Sequence, residues 1–207
     1  MIGNDIIDLQ LAKKESNWKR PRFLQKIFTE EEQKILATAP NMEIAVWVLW
    51  SRKESAYKIV ARMRKCRFYA PKKLANTITN LDCISPFSQS EGQVTFEGYT
   101  LSTKSKITDA YIHTVAQLSD NNKSVITNSF SFDQSDYPNQ RTTTRQKLLT
   151  AYAKLNNYST VDLSIQKDEL KIPHLYYKNQ QQKTMVSLAH HGHFGGYVFT
   201  KIDDVNF

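Results

Sequence analysis

The longest ordered pattern in the chain is "MEIAVWVLWSRKESAYKIVARMRK", residues 42–65. Trp47, Trp50, Glu54, Tyr57 and Ala61 recur there at spacings of three and four, which predicts one face of a long helix. Four of those positions are apolar or aromatic and the fifth is a carboxylate. Upstream, "IGNDIIDL" (residues 2–9) is rich in Ile and predicts a short buried strand. In "TEEEQKIL" (residues 29–36) Thr29 and Glu32 have capping-box spacing, so a second helix starts there. "APN" (residues 39–41) ends it, and Asn41 can cap the long helix.

Past Lys72 the period changes from helical to alternating. "TITNLDCIS", "GQVTFEGYTLS", "DAYIHTVAQLS" and "SVITNSFSF" each predict a strand, separated by polar turns. "DQSDYPNQ" (residues 133–140) is the most turn-rich stretch and the best linker candidate. A helix in "TTTRQKLLTAYAKLN" follows, with Leu148, Leu149, Tyr152 and Leu155 on one side. "TVDLSIQ", "HLYYK", "TMVSLAH" and "GGYVFTKI" close the chain as strands. Element order repeats, so the expected fold is α+β, two similar halves over 1–118 and 125–207 with a boundary near residue 120. No strong internal sequence repeat accompanies it.

Composition narrows the class. Forty per cent apolar residues in 207 support a folded globule of one domain or two small ones. No apolar run is long enough to cross a bilayer, and "MIGNDIIDLQ" lacks the basic-then-apolar order of a signal peptide, so a cytoplasmic location is expected. Cys66 and Cys83, without CxxC spacing, are expected to be reduced and partly buried. The formal net charge of +8 suits an anionic partner: nucleic acid, a polyphosphate cofactor or an acidic protein.

Three places carry candidate chemistry. Glu54 needs a partner if buried, and Lys58 lies one turn on; a Glu54–Lys58 pair on a solvated helix edge is the bland alternative. Asp5 is unusual within an Ile-rich strand. It reads as an oxygen ligand for a hard cation such as Mg2+, or as half of an Asn-Asp turn. Asp8, three residues on, would face away from it. "SLAHHGHFGGYVF" (residues 187–199) holds three histidines, but His190 and His191 are adjacent and point apart in a strand. Phosphate contact by a histidine is therefore preferred to zinc.

Taken together, "GNDIIDL", "WSRKESAYK", "FTEEE" and "SLAHHG" resemble the 4'-phosphopantetheinyl transferase superfamily. The WxxKExxxK match is the specific one. Ala189 and His191 depart from the family's small hydroxyl residues beside the histidine, and Ile7 stands where the larger members carry a second acid. The resemblance implies a pseudodimer that moves the phosphopantetheine arm of coenzyme A onto a serine of an acidic apo acyl or peptidyl carrier protein. Fatty-acid biosynthesis is one setting for such a carrier. By the same resemblance Asp5 and Glu54, helped by Asp8, would hold Mg2+ or Mn2+. Glu54 would be the general base, directly or through a water, and Lys58 would stabilise phosphate charge. His190 would contact the 3'-phosphate or adenosine end, with Lys53, Arg141, Arg145 and Lys171 as further coenzyme-binding candidates. In the larger family type the histidine segment precedes the GxD motif, whereas here it comes last, so the halves are expected in swapped order and the protein as a monomer. The basic segment "ARMRKCRFYAPKK" (residues 61–73) is the expected docking site for the carrier. Two rivals remain: a basic nucleic-acid-binding module, and a catalytically silent coenzyme A-binding homologue.

Overall fold

The computed structural model describes residues 1–68, 70–77, 84–119 and 123–201. They form strand β1 (Ile2–Asp8), helices α1 (Leu9–Glu15), α2 (Phe23–Ile27), α3 (Glu30–Thr38) and α4 (Met42–Arg64), and strands β2 (Ala75–Thr77), β3 (Ser88–Phe96), β4 (Tyr99–Ile107) and β5 (Tyr111–Leu118). After residues 119–124 come β6 (Val125–Ser131), α5 (Tyr137–Asn156), β7 (Leu163–Lys167), β8 (Pro173–Tyr177), β9 (Gln180–His191) and β10 (Phe194–Thr200). The strands make two five-stranded antiparallel sheets, ordered β1-β5-β4-β3-β2 and β6-β10-β9-β8-β7. The orders correspond strand for strand, and each sheet carries one long helix. This is the expected α+β fold of two similar halves.

Local chemistry accounts for the element ends. Thr29 and Glu32 form the full capping box, and the Asn41 side chain accepts from the Ile44 N–H at 3.1 Å. The stretch read as one strand, "GQVTFEGYTLS", is a hairpin: Glu97 and Gly98 both have positive φ (46° and 86°), the backbone of a two-residue turn matched to strand twist. Lys178 and Asn179 (46° and 63°) turn β8 into β9 the same way. "DQSDYPNQ" is no linker between halves. It joins β6 to α5, with Asp136 capping the helix at the Asn139 N–H. Helices α1 and α2 have no counterpart in the sequence reading, and the strand expected at 77–85 lies largely outside the described residues.

Helix α4 presents a different face to the sheet than its aromatic spacing suggested. Leu49, Arg52, Ala56, Ile59 and Val60 are fully covered, packing on Val94, Leu101, Ile112 and Ala116 in two adjoining apolar clusters. Trp50, Glu54, Tyr57 and Ala61 are only half-buried. That face borders a cleft rather than the core. The second half has its own core around Leu148, Tyr152, Leu175, Val186 and Phe199. Ile2, Val115 and Val198 pack across the junction.

Strand β1 lies against both α4 and the second sheet, and Gly3 makes the first approach possible. A Cβ on Gly3 would stand 2.1 Å from the Ser55 carbonyl oxygen, and neither backbone can yield. Gly3→Ala should therefore cost about 2–3 kcal/mol, seen as a lower urea midpoint with unchanged m-value. An unchanged midpoint would show that β1 shifts freely on α4.

Candidate active site

The half-buried face of α4 and the middle of β1 bring Asp5, Glu54 and Lys58 together between the halves. Burial pushes the Glu54 carboxyl up to about 7, the Asp5 charge adds to the rise, and Lys58 opposes it. Burial likewise raises Asp5, against the opposing charges of Lys58 and His191. Lys58 is lowered by burial, while Asp5 and Glu54 hold it up. Its ammonium donates to the Asn4 carbonyl at 2.5 Å and the Leu188 carbonyl at 3.3 Å, fixing it across the junction. Two carboxylates thus face one ammonium in a poorly hydrated cleft. Both Glu54 and Lys58 are only partly exposed, so the pair does not sit on a freely solvated helix edge.

Two expectations need correction. Lys53 has no capacity for a coenzyme: its ammonium is 1 % exposed and donates to Glu32 Oε2 (2.8 Å), the Pro71 carbonyl (2.9 Å) and the Leu74 carbonyl (2.6 Å). Glu32 is equally engaged, accepting from Thr29 N, Asn76 N and Asn76 Nδ2. Lys53 is a girder between α3, α4 and the 71–74 turn. Asp8 is not a third metal ligand. Its Oδ1 accepts from Gln10 N and Leu11 N (both 3.0 Å), capping α1, and its Oδ2 accepts from His193 N at 2.9 Å. The described residues hold no group of three His, Cys, Asp or Glu side chains placed for one ion.

His190 is set by its neighbour Gln140. Gln140 Nε2 donates to the Ser135 and Gly192 carbonyls (2.6 and 2.9 Å), so its Oε1 must accept, and His190 Nδ1–H donates to it at 2.8 Å. Among the described residues Nε2 of His190 has no hydrogen-bond partner and is open to a ligand. His191 turns the other way, its Nδ1 accepting from the Asp8 N–H at 2.9 Å. A cavity of about 350 Å³ opens beside this segment, lined by Lys58, Arg62, Arg67, Lys167 and Lys171. Burial lowers His190 first, then Lys58, Lys167, His191 and Arg141 lower it further. Lys167 is lowered by burial and then by Arg145 and Arg141. For His190 and Lys167 the neighbouring charges are all positive, while Asp5 and Glu54 partly balance Lys58 and Asp168 partly balances Arg62; the excess is the field of an anion site.

Of the cationic candidates, Lys171 lines this cavity, while Arg141 and Arg145 lie within electrostatic reach of His190 and Lys167. Arg62, Arg67 and Lys167 were missed. Arg62 had a usable signal, since it follows Lys58 by four residues on the same helix face. Cys66 is exposed at the cavity rim, not partly buried, and Cys83 lies outside the described residues. On the far side of Tyr57 and Arg67 lies a more apolar cavity of about 400 Å³, walled by Lys53, Glu54, Phe68, Ala70, Pro71 and Leu74; the Lys53 ammonium itself stays bonded to Glu32 and the 71–74 turn.

A family model described as the 4'-phosphopantetheinyl transferase superfamily matches residues 1–127. The chain belongs to that superfamily. The match covers Asp5, Glu54 and Lys58 and stops before the histidine segment. No curated protein matches the chain. The donor set at Asp5 and Glu54 fits a divalent cation. Asp5 and Glu54 offer hard oxygens, both short of positive charge, the set Mg2+ takes when it keeps further positions for water and phosphate.

Proposed function

We propose that this transferase moves the phosphopantetheine arm of coenzyme A onto a serine of an apo carrier protein, with Mg2+ held by Asp5 and Glu54. The observation that carries the reading is the electrostatically coupled Asp5–Glu54–Lys58 group, whose Lys58 also lines a cation-rich cavity between the halves. The cation would neutralise the pyrophosphate and hold it in line for attack. Every other task falls to side chains. The serine hydroxyl attacks the phosphorus bearing the pantetheine arm, and its proton passes to Glu54, directly or through a water. The bond to the bridging oxygen breaks and 3',5'-bisphosphoadenosine leaves. Lys58 stabilises charge on the phosphates, and His190 with Lys167, Arg62, Lys171, Arg141 and Arg145 would take the nucleotide end. The apolar cavity beside Glu54, rimmed by the basic 61–73 segment, is the route for an acidic carrier.

The halves are read as joined in swapped order within a monomer. Identical sheet orders support two like halves, and a histidine segment that falls in the second half, beyond the matched residues, supports the swapped order. Among the described residues no helix is long and apolar enough to cross a membrane.

Intact mass spectrometry of an apo acyl carrier protein with this protein, coenzyme A and Mg2+ tests the reading. The carrier should gain one phosphopantetheine arm, and a chelator should abolish the gain until Mg2+ is restored. Coenzyme A binding without transfer to any of several carriers would instead identify a silent homologue.

A further inference from the structure

The two-fold relation between the sheets generates a second cleft. It matches β1 with β6, β5 with β10 and β4 with β9, so the place corresponding to the transferase cleft lies where β6 meets the first sheet. The two junctions are closed differently. At the first, β1 bonds directly across: Asn4 N donates to Ser187 Oγ (3.1 Å) and Asp8 N to His191 Nδ1 (2.9 Å). At the second, Tyr111 OH meets Ser129 Oγ at 3.0 Å and Gln117 Nε2 donates to the Lys123 carbonyl at 3.0 Å. Between those two bridges remains a cavity of about 280 Å³ whose lining includes Lys104, Lys106, His113, Thr127, Asn128 and Ser129.

Its chemistry is one-sided. Among the described residues no acidic side chain lines it. The elements corresponding to those that bear Asp5 and Glu54 are β6 and α5, "VITNSFS" and "YPNQRTTTRQKLLTAYAKLN", and neither contains an Asp or Glu. The described residues therefore offer no carboxylate pair for a metal here, while the basic groups remain. Lys104 is partly neutralised by Glu91 at 2.8 Å. Lys106 has no carboxylate partner among the described residues, and its ammonium lies 5.5 Å from the Tyr111 ring centre. His113 is 4 % exposed, lines the cavity, and has its Nε2 3.2 Å from Asn4 Nδ2. At roughly 30 Å³ per water, the space holds a tetrahedral oxyanion with several waters.

We propose that this second cleft is a metal-free anion site for inorganic phosphate or a phosphate monoester, held chiefly by Lys106, with Lys104 and His113 beside it. It stands apart from the coenzyme cavity, which lies on the opposite junction and is lined by different residues. Loss of one charge-assisted contact from such a site costs about tenfold or more in affinity.

Titration of inorganic phosphate into the full, isotope-labelled chain, without coenzyme or Mg2+ and at fixed ionic strength, tests it by amide NMR. Two sets of saturable shifts are expected, one around Lys58 and Lys167 and one on β4 and β6. Coenzyme A should displace phosphate from the first set alone. Lys106→Gln, at an exposed position that folding tolerates, should weaken the β4–β6 response about tenfold and leave the first set and carrier modification intact. Absent or unsaturable β4–β6 shifts would overturn the proposal. So would shifts indifferent to Lys106→Gln, or shifts that coenzyme A removes.

Discussion

Glu54→Gln should lose transfer by at least about 10³-fold and, without metal, fold more stably than the parent. Both effects come from one carboxylate. Its pKa rises from 4.5 in the unfolded chain to about 7 in the fold, chiefly through burial and secondly through the Asp5 charge. A raised acid pKa favours the protonated folded state, so Glu54 is harmless below about pH 4.5 and costs stability progressively up to about pH 7. The full shift corresponds to about 3 kcal/mol, and partial exposure reduces this to about 2 kcal/mol. Glutamine removes the charge and flattens that part of the pH profile. Mg2+ should stabilise the parent and leave the variant unchanged. Denaturation at pH 5 and pH 8, with and without Mg2+, separates these terms. Equal stabilisation of both proteins by Mg2+ would remove Glu54 from the ligand set.

Lys53→Met should cost about 3–5 kcal/mol, because the Glu32 carboxylate stays buried without its cation. For a chain of this length that lowers Tm by about 10 °C. KM for coenzyme A, measured below the transition, should not change, since every Lys53 donor is spent inside the protein. Glu32→Leu added to Lys53→Met should recover much of the loss. A KM raised tenfold with Tm intact would return Lys53 to the coenzyme site. Motif spacing places Lys53 beside Glu54 but does not say on which side of the helix each emerges. The structure turns Lys53 to the 71–74 turn and Glu54 to the cleft.

That distinction marks how far the sequence could be read. The helix caps at Thr29 and Asn41, the long helix and most strands were legible because each depends on neighbours within a few residues. The Glu97–Gly98 hairpin was missed because glutamate rarely adopts positive φ, even though Gly98 offered a signal. The aromatic stripe of α4 was legible as a period, but not as a cleft wall, since the buried face includes a charged Arg52 that pattern reading sets aside. Arg52 donates to Ser90 Oγ at 2.8 Å and the Glu91 carbonyl at 3.0 Å, contacts made some forty positions away. Lys167 and Gln140 escaped for the same reason: their roles exist only once the second half closes on the first.

Asp8 has a consequence for anyone mapping this protein by alanine scanning. One of its oxygens starts α1 and the other grips the turn after His191, so its removal would unseat His190 and the β9–β10 turn without touching a reactive atom. A scan scored by product alone would rank Asp8 with Asp5 and Glu54. Scored also by proteolysis of the 191–194 turn, it would divide them: a nicked chain for the clasp, an intact one for the chemistry.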